Sequence, residues 1–222
     1  MLASKQDTLN VDSVLRFECQ NLIQWPNVYD IRKYYPACFS NIRGLVIAIV
    51  ESTEIFIHTP SLAFSNSKMY SNYKSHTTVK LLIACGPSGS ITYISNLAGG
   101  AMSDKRIVCE SDFLRHITLS SLESDEKLVI LADRGFTISD VLPPNVDLHY
   151  PPFKVGKSQF SASNVKETKV VANARIHIER VIGRLKEFKI LHSVLSLDFM
   201  DMIDHIACIC SGIVNMQSPI IK

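Results

Sequence analysis

The chain has 222 residues, 23 Lys/Arg against 21 Asp/Glu for a net charge of +2, and 46% hydrophobic content. That length and apolar content suit one large domain, or one domain with an extension, built on a real core; they exclude a disordered or low-complexity protein. Six scattered cysteines without a CxxC pair read as reduced core thiols of an intracellular protein, and a structural zinc site is not expected.

Residues 1–44 carry a weak helical pattern (Val11, Leu15, Cys19, Leu22) that ends near Trp25-Pro26, where proline breaks the helix. This stretch has no apolar leader segment, no zinc-finger spacing and no helix-turn-helix pattern, and too little apolar surface for a domain of its own. We expect it to be a helical extension packed on the domain C-terminal to it. The longest aliphatic run, Leu45 to Val50, is far too short to span a bilayer, so the expectation is a soluble protein with no membrane partner.

From Leu45 the reading changes. Leu45-Val46-Ile47-Ala48-Ile49-Val50 is a β-branched run suited to a buried strand, Glu51 follows it directly, and Glu54 to Ile57 continue or bulge it. Thr78 to Cys85 and Ser90 to Ser95 flank Gly86-Pro87-Ser88-Gly89, a hairpin with a four-residue loop. Gly99-Gly100 marks a turn, and Ser103 caps a helix running through Ile107 towards His116. Lys127 to Ala132 form a second buried strand that delivers Asp133 at its end; Val146 to Tyr150 form a third, stopped by Pro151-Pro152. A polar loop then leads to a helix from about Val171 to Phe188, and a last helix from Leu197 to Met216 puts Phe199, Met202, Ile203, Ile206, Cys210 and Ile213 on one face, which is core or an interface.

On the helix over 171–188, Ala174, Ile178, Val181, Ile182, Leu185 and Phe188 form a stripe facing the core, and Glu179 sits at its edge. Between Lys166 and Lys189 there are seven Lys/Arg against three acids, a net of +4, more than the whole chain carries. A basic stripe on one element points to a polyanion partner.

Strands alternating with helices predict an α/β sheet, with ligands at its edge. Glu51, Asp133 and Glu179 could converge there. Singly each acid has a simpler explanation: a strand-end surface acid for Glu51, a turn or cap for Asp133, a surface ion pair for Glu179. Together they form an oxygen-only set that suits Mg²⁺ or Mn²⁺ rather than zinc, the donor chemistry of metal-assisted phosphodiester cleavage. Carboxylates more than about 10 Å apart could not share such a site.

These residues fall in ordered blocks: Ile49 to Ile57 around Glu51, Tyr70 to His76, Gly99 to Lys105, Leu131 to Phe136 around Asp133, Pro151-Pro152-Phe153, and Arg175 to Lys186 around Glu179. In these blocks the chain, from about Val46 to Asn215, resembles the catalytic domain of PIF/Harbinger-type transposases, in the DDE superfamily of RNase H-like nucleases. The resemblance implies an RNase H-like mixed sheet with helices packed on it, over residues 45–217. It implies Mg²⁺- or Mn²⁺-dependent DNA cleavage with Glu51, Asp133 and Glu179 as catalytic metal ligands and Asp104 as a further acid near the metal. Arg175, Arg180, Arg184, Lys186 and Lys157 are then candidate contacts to the DNA backbone. DNA as partner, a separate DNA-binding protein and a nuclear location are further implications.

The sequence departs from the family pattern at Glu51, where the family normally has Asp. The extra methylene moves the carboxylate by roughly 1.5 Å, whereas metal–oxygen distances tolerate only about 0.2 Å. A catalytically inactive transposase-derived module that binds DNA or protein is therefore the competing reading. Glu54 matches a family Glu and is a poor substitute for the missing Asp. Gly156-Lys157-Ser158 resembles the end of a phosphate-binding loop, but the glycine required five residues earlier is Pro151. His177 and His205 read as ordinary helix residues, and Tyr70, Tyr73 and Lys74 either face DNA or pack on the sheet.

Overall fold

The structure is a computed structural model in which residues 14, 17–133, 135–150 and 176–220 are described. Its centre is β1 (Leu45–Phe56), whose first six residues are all buried, as the aliphatic run demands. Gly44 admits the chain to this strand: its φ is 102°, and a Cβ there would stand 2.8 Å from the Lys127 carbonyl.

A helix, α1 (Val28–Lys33), precedes β1, and α2 (Ala63–Met69) and the short β2 (Tyr70–Ser71) follow it. Then come β3 (His76–Cys85), β4 (Ile91–Ile94) and β5 (Ala98–Gly99). Two helices, α3 (Asp104–Glu110) and α4 (Phe113–Leu122), lead to β6 (Leu128–Ala132) and β7 (Val146–His149). A helix over residues 176–187, here α5, precedes α6 (Lys189–His192) and α7 (Ile203–Met216). The seven-stranded sheet runs β2-β3-β1-β6-β7, with β4 and β5 also on β3. β1 pairs antiparallel with β3 and parallel with β6, and β6 pairs parallel with β7. A mixed sheet with helices on both faces is the architecture expected of an RNase H-like fold.

Strand alternation divides the core in two. Ile49, Ile55, Leu81, Ile83, Val129 and Leu131 pack on one face beneath Ile178, Val181 and Leu185 of α5 and Ile203, Ala207 and Val214 of α7. Val50, Leu82, Ala84, Ile130 and Ala132 pack on the other against Val28 and Ile31 of α1, Ile107 of α3 and Phe113 and Ile117 of α4.

The structure departs from the sequence-based expectation in three places. The helix expected to run from Ser103 towards His116 is two helices, broken at Ser111-Asp112; Ser103 does cap the first, accepting from the Arg106 N–H at 3.3 Å. The last helix begins at Ile203 after a 3-10 turn at Leu197–Phe199, and Phe199 and Ile213 are exposed instead of joining the apolar face. Of the six free thiols, Cys85, Cys208 and Cys210 are buried, but Cys38 and Cys109 are exposed. No helix among the described residues is long and apolar enough to cross a membrane.

Candidate functional site

The register of β1 on β6 sets the site. Val50 pairs with Ala132 in parallel, so Glu51 and Asp133 come next on neighbouring strands, roughly 4.8 Å apart in the pairing direction. Glu51 also pairs with Ile83, which packs in the α5 layer, so its side chain leaves the sheet on the α5 face. Its Oε2 is screened from solvent. Asp133, half-buried, follows Leu131 by two residues and shares that face.

Glu179 lies on the helix above the same face. Ile178 beside it is buried in the core, and Glu179, about 100° further round, is exposed. Gly183, one turn on, has nothing within 4 Å of where a Cβ would stand, so this side of α5 is open. Lys186, two turns on from Glu179, is half-buried. Burial lowers its pKa, with Lys74 adding, while the charges of Glu54 and Glu51 act in the opposite sense.

The other charges hold different positions. Glu54 projects from β1 to the opposite face, is 8% exposed, and accepts a 2.6 Å hydrogen bond from the Thr78 hydroxyl. Asp104 opens α3 and pairs with Lys80 at 3.5 Å; its Oδ2 also lies 3.7 Å from where a Cβ on Gly135 would stand. Sequence reasoning missed Lys80. A lysine in an otherwise apolar strand was the available signal, because it must reach a carboxylate or carbonyl, and Lys80 reaches Asp104 and the Met102 carbonyl. Arg180 is exposed, Arg184 donates to the Ser218 carbonyl at 2.7 Å, and Arg175 and Lys157 lie outside the described residues. His177 is an ordinary packing residue: its ring lies 5.7 Å from Phe39, Nε2 is 3.9 Å from Cys38 Sγ, and burial, with Arg180 adding, lowers its pKa below 6.5. Burial pushes the Cys85 thiol far up and the nearby Glu51 charge adds to this, which leaves it inert.

The fit to a divalent cation divides along these lines. The donors are hard oxygens of the right kind, and the register brings two of them together. Among the described residues, however, no three His, Cys, Asp or Glu side chains stand close enough to hold a metal ion. Glu51 and Asp133 thus follow paired residues of neighbouring strands, and with Glu179 they do not make a three-donor cluster among the described residues. A cavity of about 460 Å³ lies elsewhere, lined by Trp25, Tyr93, Asp112, His116 and Asp204 among others, and none of Glu51, Asp104, Asp133 or Glu179 lines it.

No curated protein and no solved structure matches the chain. A family model described as DDE superfamily endonuclease matches residues 50–215, a span that opens one residue before Glu51 and includes Asp133 and Glu179. With three quarters of its length matched and a mixed sheet that carries acids at the ends of neighbouring strands, the chain belongs to the DDE superfamily endonucleases.

Proposed function

We propose that this chain is a transposase-derived nuclease domain of the PIF/Harbinger type, acting on DNA phosphodiester bonds, in which Glu51 limits the chemistry. One observation carries the reading: the parallel register Val50 to Ala132 aligns Glu51 with Asp133 on the face beneath the acid-bearing, basic helix α5. Glu51, Asp133 and Glu179 are the ligands for Mg²⁺ or Mn²⁺ in this proposal, with Asp104 tied to Lys80 and left as a support for the loop after β6. A bound divalent ion would supply charge neutralisation and an acidified water at the scissile phosphate. The chain's own part is to fix two carboxylates rigidly on adjacent strands and to hold the phosphate backbone. Lys186 and Arg180 suit the second task, since Lys186 lies near the acids and Arg180 is exposed beside Glu179. A partner protein that supplies sequence-specific DNA binding, and a nuclear setting, complete this reading.

A second reading, an inactive transposase-derived module that binds DNA or protein, is favoured by two observations. Glu stands where the family normally has Asp, and no three acids are gathered among the described residues. Mg²⁺- or Mn²⁺-dependent plasmid nicking by the native chain, Glu51→Asp and Glu179→Ala separates the two. Nicking that rises in Glu51→Asp and vanishes in Glu179→Ala supports the nuclease with a weakened first ligand. An absence of nicking in all three, with DNA binding retained, supports the module.

A further inference from the structure

Tyr73 is 85% exposed, the most exposed large apolar side chain among the described residues. Its size therefore serves no packing purpose, in contrast to Phe56 nearby, whose ring meets His76 at 5.2 Å. Nor does Tyr73 stand on a loose loop. Tyr70 pairs with Thr77 and Ser71 with His76, Ser71 and Thr77 are each 2% exposed, and the Lys74 N–H donates to Ser71 Oγ at 3.2 Å. Ser75 completes the turn with φ at 51°, a left-handed conformation that fixes the chain direction at the tip. The fold thus holds an aromatic ring out into solvent on a tight, anchored turn.

The surroundings of that ring are cationic. Lys74 Nζ lies 4.6 Å from its centroid, and Tyr70 beside it is 41% exposed. A ring face with a flanking ammonium group matches a nucleobase and a phosphate beside it. The place is also right. Glu51 pairs with Ile83 and the turn opens beyond the Ser71–His76 pair, seven residues back along β3, so the base of the turn is about 24 Å from Glu51 at 3.4 Å per residue. That is about seven nucleotides at 3.4 Å of rise per nucleotide of a duplex strand.

We propose that the β2–β3 turn is a stacking platform for an unpaired nucleobase of DNA, with Tyr73 supplying the ring and Lys74 a flanking phosphate contact. This rests on the DNA reading above and deepens it, since it names the substrate as DNA with a single-stranded stretch about seven nucleotides from the phosphate at the acids.

The test is fluorescence anisotropy with two labelled DNAs, a blunt duplex and the same duplex with a single-stranded overhang, against native protein, Tyr73→Ala and Tyr73→Phe. Native protein is expected to prefer the overhang. Tyr73→Ala loses roughly 5- to 150-fold on the overhang DNA, the range for one stacked base, with the blunt duplex unchanged and the melting curve superimposable. Tyr73→Phe retains the preference, and 2-aminopurine in the overhang loses fluorescence on binding native protein but not Tyr73→Ala. Equal binding of both DNAs by native protein and Tyr73→Ala overturns the platform while leaving the DNA reading intact. A change of oligomeric state in Tyr73→Ala with no effect on DNA overturns it in favour of a protein contact. Failure of native protein to bind either DNA overturns the proposed function together with this inference.

Discussion

Glu51 and Glu54 stand on the same strand, yet they serve the two faces of the sheet. Glu54 points to the α3/α4 side, is almost fully buried and takes the Thr78 hydroxyl at 2.6 Å. Asp104 lies on the same side and is held by Lys80. On the other side Glu51 aligns with Asp133 beneath α5, and Glu179 rides on that helix. One face uses its carboxylates to join elements of the fold. The other sets two of them at the ends of buried strands, where ligands meet open sheets. Residue type does not separate these roles; strand parity does.

The comparison breaks most directly on activity. Asp133→Asn should abolish metal-dependent nicking in the native or the Glu51→Asp background, whereas Glu54→Gln should leave nicking per folded molecule unchanged; plasmid nicking with matched folded fractions reads both. On stability the order reverses. Gly100→Ala drives a Cβ into the Thr78 hydroxyl and to 2.6 Å from the Met69 carbonyl, disturbing the Glu54–Thr78 side of the sheet. A loss of about 1–3 kcal/mol in denaturant unfolding is expected there. Thr78→Val, which leaves a buried carboxylate short of its donor, should cost a similar ~1–3 kcal/mol in the same unfolding measurement.

Smaller effects sharpen the picture. Lys186→Met should weaken DNA binding across sequences and lower the log–log salt slope by about 1, while Arg184→Met, whose guanidinium already donates to Ser218, should change that slope less. Proton linkage gives the smallest effect. Burial lowers the pKa of His177 and of His116 in the fold below 6.5, so below that pH the unfolded chain takes up protons that the folded chain resists. Stability from this source is present above pH 6.5 and falls as the pH drops through it. Melting curves between pH 7.5 and 5.5 should show a smaller drop for His116→Gln than for the native chain.

Much of this was legible in the sequence, and the reasons are physical. Leu45 to Val50 and Leu128 to Ala132 are aliphatic runs too short for helices, so their strands, and the acids that follow them, could be placed from pattern alone. The hairpin through Gly86-Pro87-Ser88-Gly89 was equally plain, with Gly86 N–H closing on the Ser90 carbonyl. The break between α3 and α4 was hidden because Ser111-Asp112 carries no glycine or proline to mark it. Cys38 and Cys109 were misplaced because burial of a small thiol is a tertiary outcome that neighbouring residues do not encode. Whether three acids gather was the least legible. Register fixes Glu51 beside Asp133, but the distance from the sheet to Glu179 depends on how α5 seats on its apolar stripe, and sequence spacing does not set that.

The central claim is that Glu51, one methylene longer than the acid usual in the family the chain resembles, is what limits the proposed chemistry. The most direct measurement is the Mg²⁺- and Mn²⁺-dependent nicking rate of supercoiled plasmid for Glu51→Asp beside the native chain, with Glu51→Asp/Asp133→Asn as the control. The account predicts that Glu51→Asp nicks faster than the native chain and that the double variant does not nick. A Glu51→Asp rate equal to or below the native rate, or nicking that survives in the double variant, would contradict it.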